Sequence, residues 1–407
     1  MSTGLATPLA ERPNHVPSDL VVDFDFYNIP GSDEDIQSAY AAFQKSFPDI
    51  FWTPHNGGHW VATRAEDILV MQKDHQRFSY RHVTLPPMPE GTPPQIPLEL
   101  DPPMHAHFRR PLVQALQPGA VAKLEQGVHD VCVQTIEALM PRGECEFVEE
   151  FAKVLPITVF LRMVNLPIED KDFLLPIAEA SVRGSDSQTR VKAMQDMGGY
   201  LYKWIEERRE NPGDDLLSLV VNTQIRGERI SVEEATSYAA LILFGGLDTV
   251  AGMLSFFARF LATHDEHRQQ IIANLDDEVF LKSAIEELIR RHGMANTARL
   301  VTHDFDYKGI TFKAGDRLLP PNLLVGMDDR LNPDPATVDF ARQGGIHAAF
   351  GNGPHACPGA ILARRELRIF LREWLSRIPD FRIKPGSKPV LATGQVNGIL
   401  KLDLVWP

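Results

Sequence analysis

Between Ala239 and Ala258 lie twenty consecutive residues with a single charge, Asp248, and no other segment of this 407-residue chain restricts the fold as much. The stretch is near the length that spans a bilayer. A central aspartate costs roughly 2.5–3.5 kcal/mol on insertion scales. Gly245, Gly246 and Gly252 also interrupt the run, and no basic cluster flanks it. The reading that remains is a helix buried in a large core. Its start is marked by Ser231-Val232-Glu233-Glu234, a capping-box pattern in which the Ser hydroxyl and the Glu carboxylate satisfy free backbone donors. From there to about Thr263 the helix spans about 50 Å at 1.5 Å per residue. Only a large globule can bury it, so no membrane association is expected.

The rest of the chain suits that role, with 43% hydrophobic and 23% charged residues, the balance of a folded globule. Its 41 Lys and Arg against 54 Asp and Glu leave a net charge of −13, which argues against a nucleic-acid binder. Three cysteines, Cys132, Cys145 and Cys357, cannot form a disulfide framework, and Met1 to Asn14 is polar with Pro8 and Pro13. These features predict a flexible arm over residues 1–14, one domain over 15–407, a monomer and a cytoplasmic location. His59 to Arg64 alternates like a strand and a helical run follows from Ala65. Six prolines between Pro86 and Pro97 exclude regular structure from Tyr80 to Leu100, and long loops of this kind are often functional. Helical patterning then holds to about residue 300, with breaks expected near Pro118, Pro141-Gly143, Pro156, Pro167, Gly184 and Pro212-Gly213. Phe305 to Phe312 reads as a hairpin turning at Lys308-Gly309. A last helix from about Ala360 to Leu375 carries Ala363, Leu367, Phe370, Leu371 and Trp374 on one stripe. The fold class is mainly α with minor β.

The chemistry concentrates in Phe350-Gly351-Asn352-Gly353-Pro354-His355-Ala356-Cys357-Pro358-Gly359. Two glycines and two prolines around one thiol suggest backbone shaped to lie against a flat group. A thiolate before a helix is favoured by the unpaired N–H groups and is a soft ligand suited to iron. A buried structural cysteine is the other reading. Zinc fits less well, because Cys132 and Cys145 stand at no ligand spacing. Pro358 has no N–H to aim at the sulfur, which leaves those of Gly359 and Ala360.

This loop resembles the haem-binding signature of the cytochrome P-450 family, F-x-x-G-x-H-x-C-x-G, at Phe350, Gly353, His355, Cys357 and Gly359. The family's E-x-x-R pair is met by Glu287 and Arg290, with Arg342 as the third, basic member. Gly245-Gly246-Leu247-Asp248-Thr249 is similar to its oxygen-activating segment, and His105 and Arg109 to its H-x-x-x-R helix. The resemblance implies a single-domain triangular fold around a buried haem b, with Cys357 as axial ligand of the iron and dioxygen as co-substrate. His105, Arg109, Arg299 and His355 then face the haem propionates, Phe350 and Gly359 shape the thiolate loop, and Asp248 and Thr249 relay protons. Arg183 is the expected partner of Asp248.

The pattern is closest to the camphor hydroxylase branch, with similarity from about residue 15 to the C-terminus. That likeness implies a [2Fe-2S] ferredoxin as electron donor, reduced by an NADH-dependent reductase. The tyrosine that holds camphor's ketone falls at Pro93, which has no hydroxyl. Leu98, Leu241, Phe244, Gly245, Ala295 and Val396 match the substrate pocket and are apolar. The expected activity is therefore hydroxylation of a small terpenoid or norisoprenoid such as an ionone, and not of camphor. A ferredoxin of acidic character needs a basic face near Cys357, for which Arg109, Arg110, Arg364 and Arg365 are the candidates. A peroxide-driven haem oxygenase and a haem-thiolate sensor are the competing functions.

Overall fold

In the computed structural model, residues 8–183 and 187–407 are described, apart from the side chains of 182, 183 and 187. The apolar stretch is one continuous helix, Val232–Thr263, and its capping box is formed. Ser231 Oγ accepts from the Glu234 N–H at 3.1 Å, and the Glu234 carboxylate accepts from the Ser231 N–H at 2.8 Å. This helix is long and apolar enough to cross a membrane, and most of its apolar window is instead buried against protein.

The long helix threads both hydrophobic cores of the molecule. Its first half, with Tyr238, Ala239, Leu243 and Leu247, packs in a core with the helices Val154–Met163, Ser187–Glu210 and Leu216–Val221. Its second half, from Val250 to Ala262, joins a larger core with the helices Glu278–Arg291 and Ala360–Arg377 and the five-stranded sheet. Gly245 to Thr249 lie where one core gives way to the other.

The sheet runs Ile50–Thr53, His59–Ala62, Arg317–Leu319, Arg299–Val301 and Phe78–Ser79, antiparallel except between His59–Ala62 and Arg317–Leu319. Its register sets Leu318 opposite Arg299, so the strand beginning at Arg299 is fixed against the core. The hairpin Phe305–Tyr307 with Ile310–Phe312 forms as its alternation predicts. No helix or strand lies between 80 and 100.

Several expectations change. Residues 1–7 lie outside the described residues, whereas from Pro8 onward the arm is fastened: the Ala10 N–H donates to the Pro54 carbonyl at 2.8 Å and His15 meets Asp316 at 2.9 Å. The break expected near Pro156 is a change of helix type: the π-helical stretch Val148–Ala152 gives way at Lys153 to the α-helix Val154–Met163, which carries Pro156 in its first turn. The helical region also contains the strand Glu144–Glu146 and the small hairpin Gln224–Ile225 with Glu228–Arg229, each too short to register as alternation.

Candidate functional site

At the junction of the two cores the Met104–Ala115, Val154–Met163 and Val232–Thr263 helices, the Pro-rich loop and the thiolate loop enclose a cavity of about 330 Å³. Gly245 and Gly246 face it, and a Cβ added to either meets nothing within 4 Å. Two glycines mid-helix cost stability, about 1 kcal/mol each relative to Ala. Here they leave open the space that side chains would take.

The thiolate loop is held on every side. The Cys357 N–H donates to the Phe350 carbonyl at 2.7 Å, and Arg109 reaches from its helix to the Ala356 carbonyl. Gly353 has φ +74° and backs onto the Gln72 carbonyl, where a Cβ would come within 3.0 Å, so no other residue fits. The Arg364 guanidinium lies 4.5 Å over the Phe350 ring. Burial raises the Cys357 thiol above its ordinary value, while the Gly359 and Ala360 amides with Arg109 and Arg364 pull it back in part. The two amides are those that Pro358 leaves. A metal cation at the sulfur supplies the charge that makes the thiolate the stable form.

One end of the cavity is polar and incompletely satisfied. His105 and His355 stack with centroids 3.9 Å apart, Tyr80 stacks on His355 at 3.6 Å, and Arg299 lies 3.5 Å over Tyr80. Nε2 of both histidines and Nε of Arg299 are buried with no partner among the described residues. Burial, with Arg109 close by, pushes His105 down to about 4, and burial pushes His355 down further. Two neutral imidazoles and two guanidinium groups with donors to spare match a pair of carboxylates, which buried on their own would be costly. A haem therefore fits these residues: Cys357 for the iron, His105, Arg109, Arg299 and His355 for the propionates. When bound, it supplies a thiolate-ligated iron that favours O–O cleavage.

Thr249 lines the cavity, and its hydroxyl donates to the Gly245 carbonyl at 2.9 Å, which leaves the oxygen free to accept. Asp248 is half-buried on the neighbouring face of the helix and does not line the cavity. Its expected partner Arg183 has a side chain outside the described residues. Leu98, Leu241, Gly245 and Ala295 all line the cavity. Phe244 does not, since it packs into the core shared with the helices beyond. Val396 also stays off the wall and pairs with Ala295 from behind. Pro93 is exposed and takes no part.

Behind the site, Glu287 accepts from Arg290 at 2.7 and 2.8 Å and from Arg342 at 3.0 Å, as the resemblance implies. The expected basic face is different. Arg364 is paired with Glu286, Arg365 with Glu125, and Arg109 is turned inward. Arg110 remains exposed, and so does Lys73, which sequence reading missed and which packs against Gly353. Among the cavity residues that sequence reading did not single out, two stand out. Tyr80 carries no local signal. Glu366 does, because it falls on the apolar stripe of Ala360–Arg377 between Ala363 and Phe370, and a charge on a core-facing stripe is exceptional.

The fold and the thiolate pocket together define a haem-thiolate oxidoreductase. Residues 158–402 match the family model for cytochrome P450, and the chain belongs to that family. It is 34% identical over 404 residues to a probable cytochrome P450 127A1 of Sinorhizobium fredii (strain NBRC 101917 / NGR234), covering 97% of this chain and 96% of that protein. It is 29% identical to the vitamin D3 dihydroxylase of Streptomyces griseolus, covering 85% and 87% of the two chains. The crystal structure of CYP101J2 superposes with a TM-score of 0.88 at 38% identity, over 98% of this chain and 100% of that one. That of CYP101C1 gives 0.88 at 35% identity with the same coverage. The chain is thus a monooxygenase that uses thiolate-ligated haem iron and dioxygen.

Proposed function

We propose that this enzyme hydroxylates a small apolar cyclic substrate of the terpenoid or norisoprenoid class, ionone-like in size, in the cytoplasm. The observation that carries the reading is the distribution of polarity around the cavity. Pro97, Leu98, Leu241, Met294 and Ala295 line the same cavity as Thr249 with apolar side chains. Of the other hydroxyls in the lining, Tyr80 donates to the Gln72 carbonyl at 3.1 Å and Thr297 accepts from Arg299 at 3.0 Å. Such a wall selects by shape and burial, at roughly 25 cal/mol per Å² of apolar surface. β-Ionone is expected to give a larger spin shift and tighter binding than camphor in an optical titration. Tighter binding of camphor would overturn the substrate class.

Proton supply falls to Thr249, whose Oγ can hold a water while Asp248, one residue away on the solvent side, feeds protons to it. In a Thr249→Ala variant NADH consumption should continue while product falls at least tenfold and hydrogen peroxide accumulates. A sensor has no turnover to uncouple, and a peroxide-driven oxygenase loses no coupling, so either result would reject the dioxygen reading.

The electron donor in this proposal is an acidic [2Fe-2S] ferredoxin reduced by an NADH-dependent reductase. Arg110 and Lys73 support a docking face beside the thiolate loop, being exposed and making no ion pair among the described residues. Arg110→Glu should raise the KM for ferredoxin about tenfold at low salt, less at high salt, because such charges steer encounter. Peroxide-driven turnover of the same variant should be unchanged. Equal loss by both routes would place Arg110 in the fold instead.

A further inference from the structure

The Pro-rich loop forms one wall of the cavity through Pro97 and Leu98, yet it has no helix or strand to hold it there. Early in the loop, Tyr27 donates to the Leu85 carbonyl and the Ala298 N–H to the Val83 carbonyl; nearer the cavity, two side chains hold its backbone. Ser237, on the long helix one turn before the cavity residue Leu241, accepts from the Ile96 N–H at 3.2 Å and donates to the Pro94 carbonyl. Glu99 accepts from the Gln95 N–H at 2.9 Å and from the Val83 N–H at 3.3 Å, which ties the end of the loop to its beginning. Burial raises the Glu99 carboxyl despite these two amides. Ile96, between the two ties, is buried in the core shared with the first half of the long helix.

We infer that Ser237 is a positioning residue for substrate selection: it clips the 94–98 segment to the long helix and so sets where Leu98 stands in the cavity wall. The inference rests on the cavity being the substrate site. A hydroxyl suits the task because it donates and accepts at once. It thereby engages a carbonyl and an N–H two residues apart, which neither a Lys nor a carboxylate could do. Proline at 94 and 97 leaves the segment few backbone donors, so the Ile96 N–H is its main handle. Glu99 closes the loop on itself, whereas Ser237 joins the loop to the helix that carries Thr249. The distance from Leu98 to Thr249 therefore depends on the Ser237 clip together with the buried Ile96 side chain.

Ser237→Ala and Ser237→Thr, both haem-loaded, test this. In the Ala variant the amides of Gln95 and Ile96 should exchange hydrogen about tenfold faster or more, the effect of losing roughly one hydrogen bond that holds a loop shut. The spectral Kd for β-ionone should rise about tenfold with a smaller high-spin fraction. 4-Phenylimidazole, which needs no fitted wall, should bind faster and with nearly unchanged affinity. The Thr variant should restore all three, and the 450 nm CO band of both variants should match the parent. Faster exchange without any change in β-ionone binding would overturn the selection role, and unchanged exchange would overturn the clip. If the parent enzyme shows no β-ionone shift, the substrate class is what fails, and exchange with 4-phenylimidazole kinetics still decides on Ser237.

Discussion

Arg290→Ala should leave little folded, haem-loaded protein, the largest loss of stability expected from any single substitution near the site. Arg290 is 1% exposed and engages all five of its donors: two to Glu287, one each to the Gly326 and Pro335 carbonyls at 2.6 and 2.8 Å, and one to the Thr337 carbonyl at 3.1 Å. Burial pushes the Glu287 carboxyl up, and the bonds from Arg290, the Asp339 amide and Arg342 more than reverse it. Removing one partner of such a buried pair costs about 3–5 kcal/mol, because the other charge stays behind unpaired. Here the Pro335 carbonyl is orphaned as well, while Gly326 keeps Asn332 and Thr337 keeps Arg342 as donors. Gly326 fits so closely over the Arg290 backbone that a Cβ would sit 2.3 Å from its carbonyl oxygen, so the segment cannot slide to find new partners. That segment, 326–342, leads directly into the thiolate loop. The expected order of urea midpoints is parent above Arg290→Lys above Arg290→Ala, since Lys keeps the charge without the planar fork. The double variant Glu287→Leu, Arg290→Met removes both charges and should recover less than half of the loss. Full recovery would show that the ion pair alone, and not the carbonyl cradle, carries the stability.

That cradle illustrates what the linear chain reveals and what it withholds. The long helix, its cap, the hairpin and the thiolate loop are written locally, as periodicity, a Ser-to-Glu spacing, a Gly turn and a ten-residue signature. So is the Glu287–Arg290 pair, at i and i+3 on one helix. The partners that complete each feature come from far along the chain: Gly326 and Pro335 for Arg290, Ala356 for Arg109, Glu286 for Arg364. Which arginines of the basic face stay unpaired is hidden from the sequence for that reason. An arginine's charge can be counted from sequence, but whether a carboxylate from another helix neutralises it depends on packing. Phe244 failed similarly, since on a helix buried all round the apolar pattern does not say which face meets the cavity.

Glu366 supplies the second large effect, and its sign is opposite to that of Arg290. Its side chain is 2% exposed, lines the cavity and has an unpartnered Oε2, and burial alone raises its carboxyl from 4.5 to about 8. The folded chain therefore holds this proton at neutral pH while the unfolded chain has lost it. Below the unfolded value both states are protonated and Glu366 costs nothing by ionisation. As pH rises from 4.5 towards 8 the unfolded state gains by ionising, and folding stability falls by about 1.4 kcal/mol per pH unit, roughly 5 kcal/mol in all. Above 8 both states are ionised and the penalty stays constant. Gln has nearly the same shape and no proton to lose, so Glu366→Gln should remove this slope. At pH 5 the variant should be equal to the parent or slightly less stable, because the amide brings donors that need partners, about 1 kcal/mol. By pH 8 it should be the more stable by several kcal/mol. Urea midpoints of the two holoproteins from pH 5 to 9 give the difference directly, with every other titrating group cancelling. A difference that stays flat across that range would mean that Glu366 ionises normally, and that the apolar stripe of the Ala360–Arg377 helix admits water or a cation beside it.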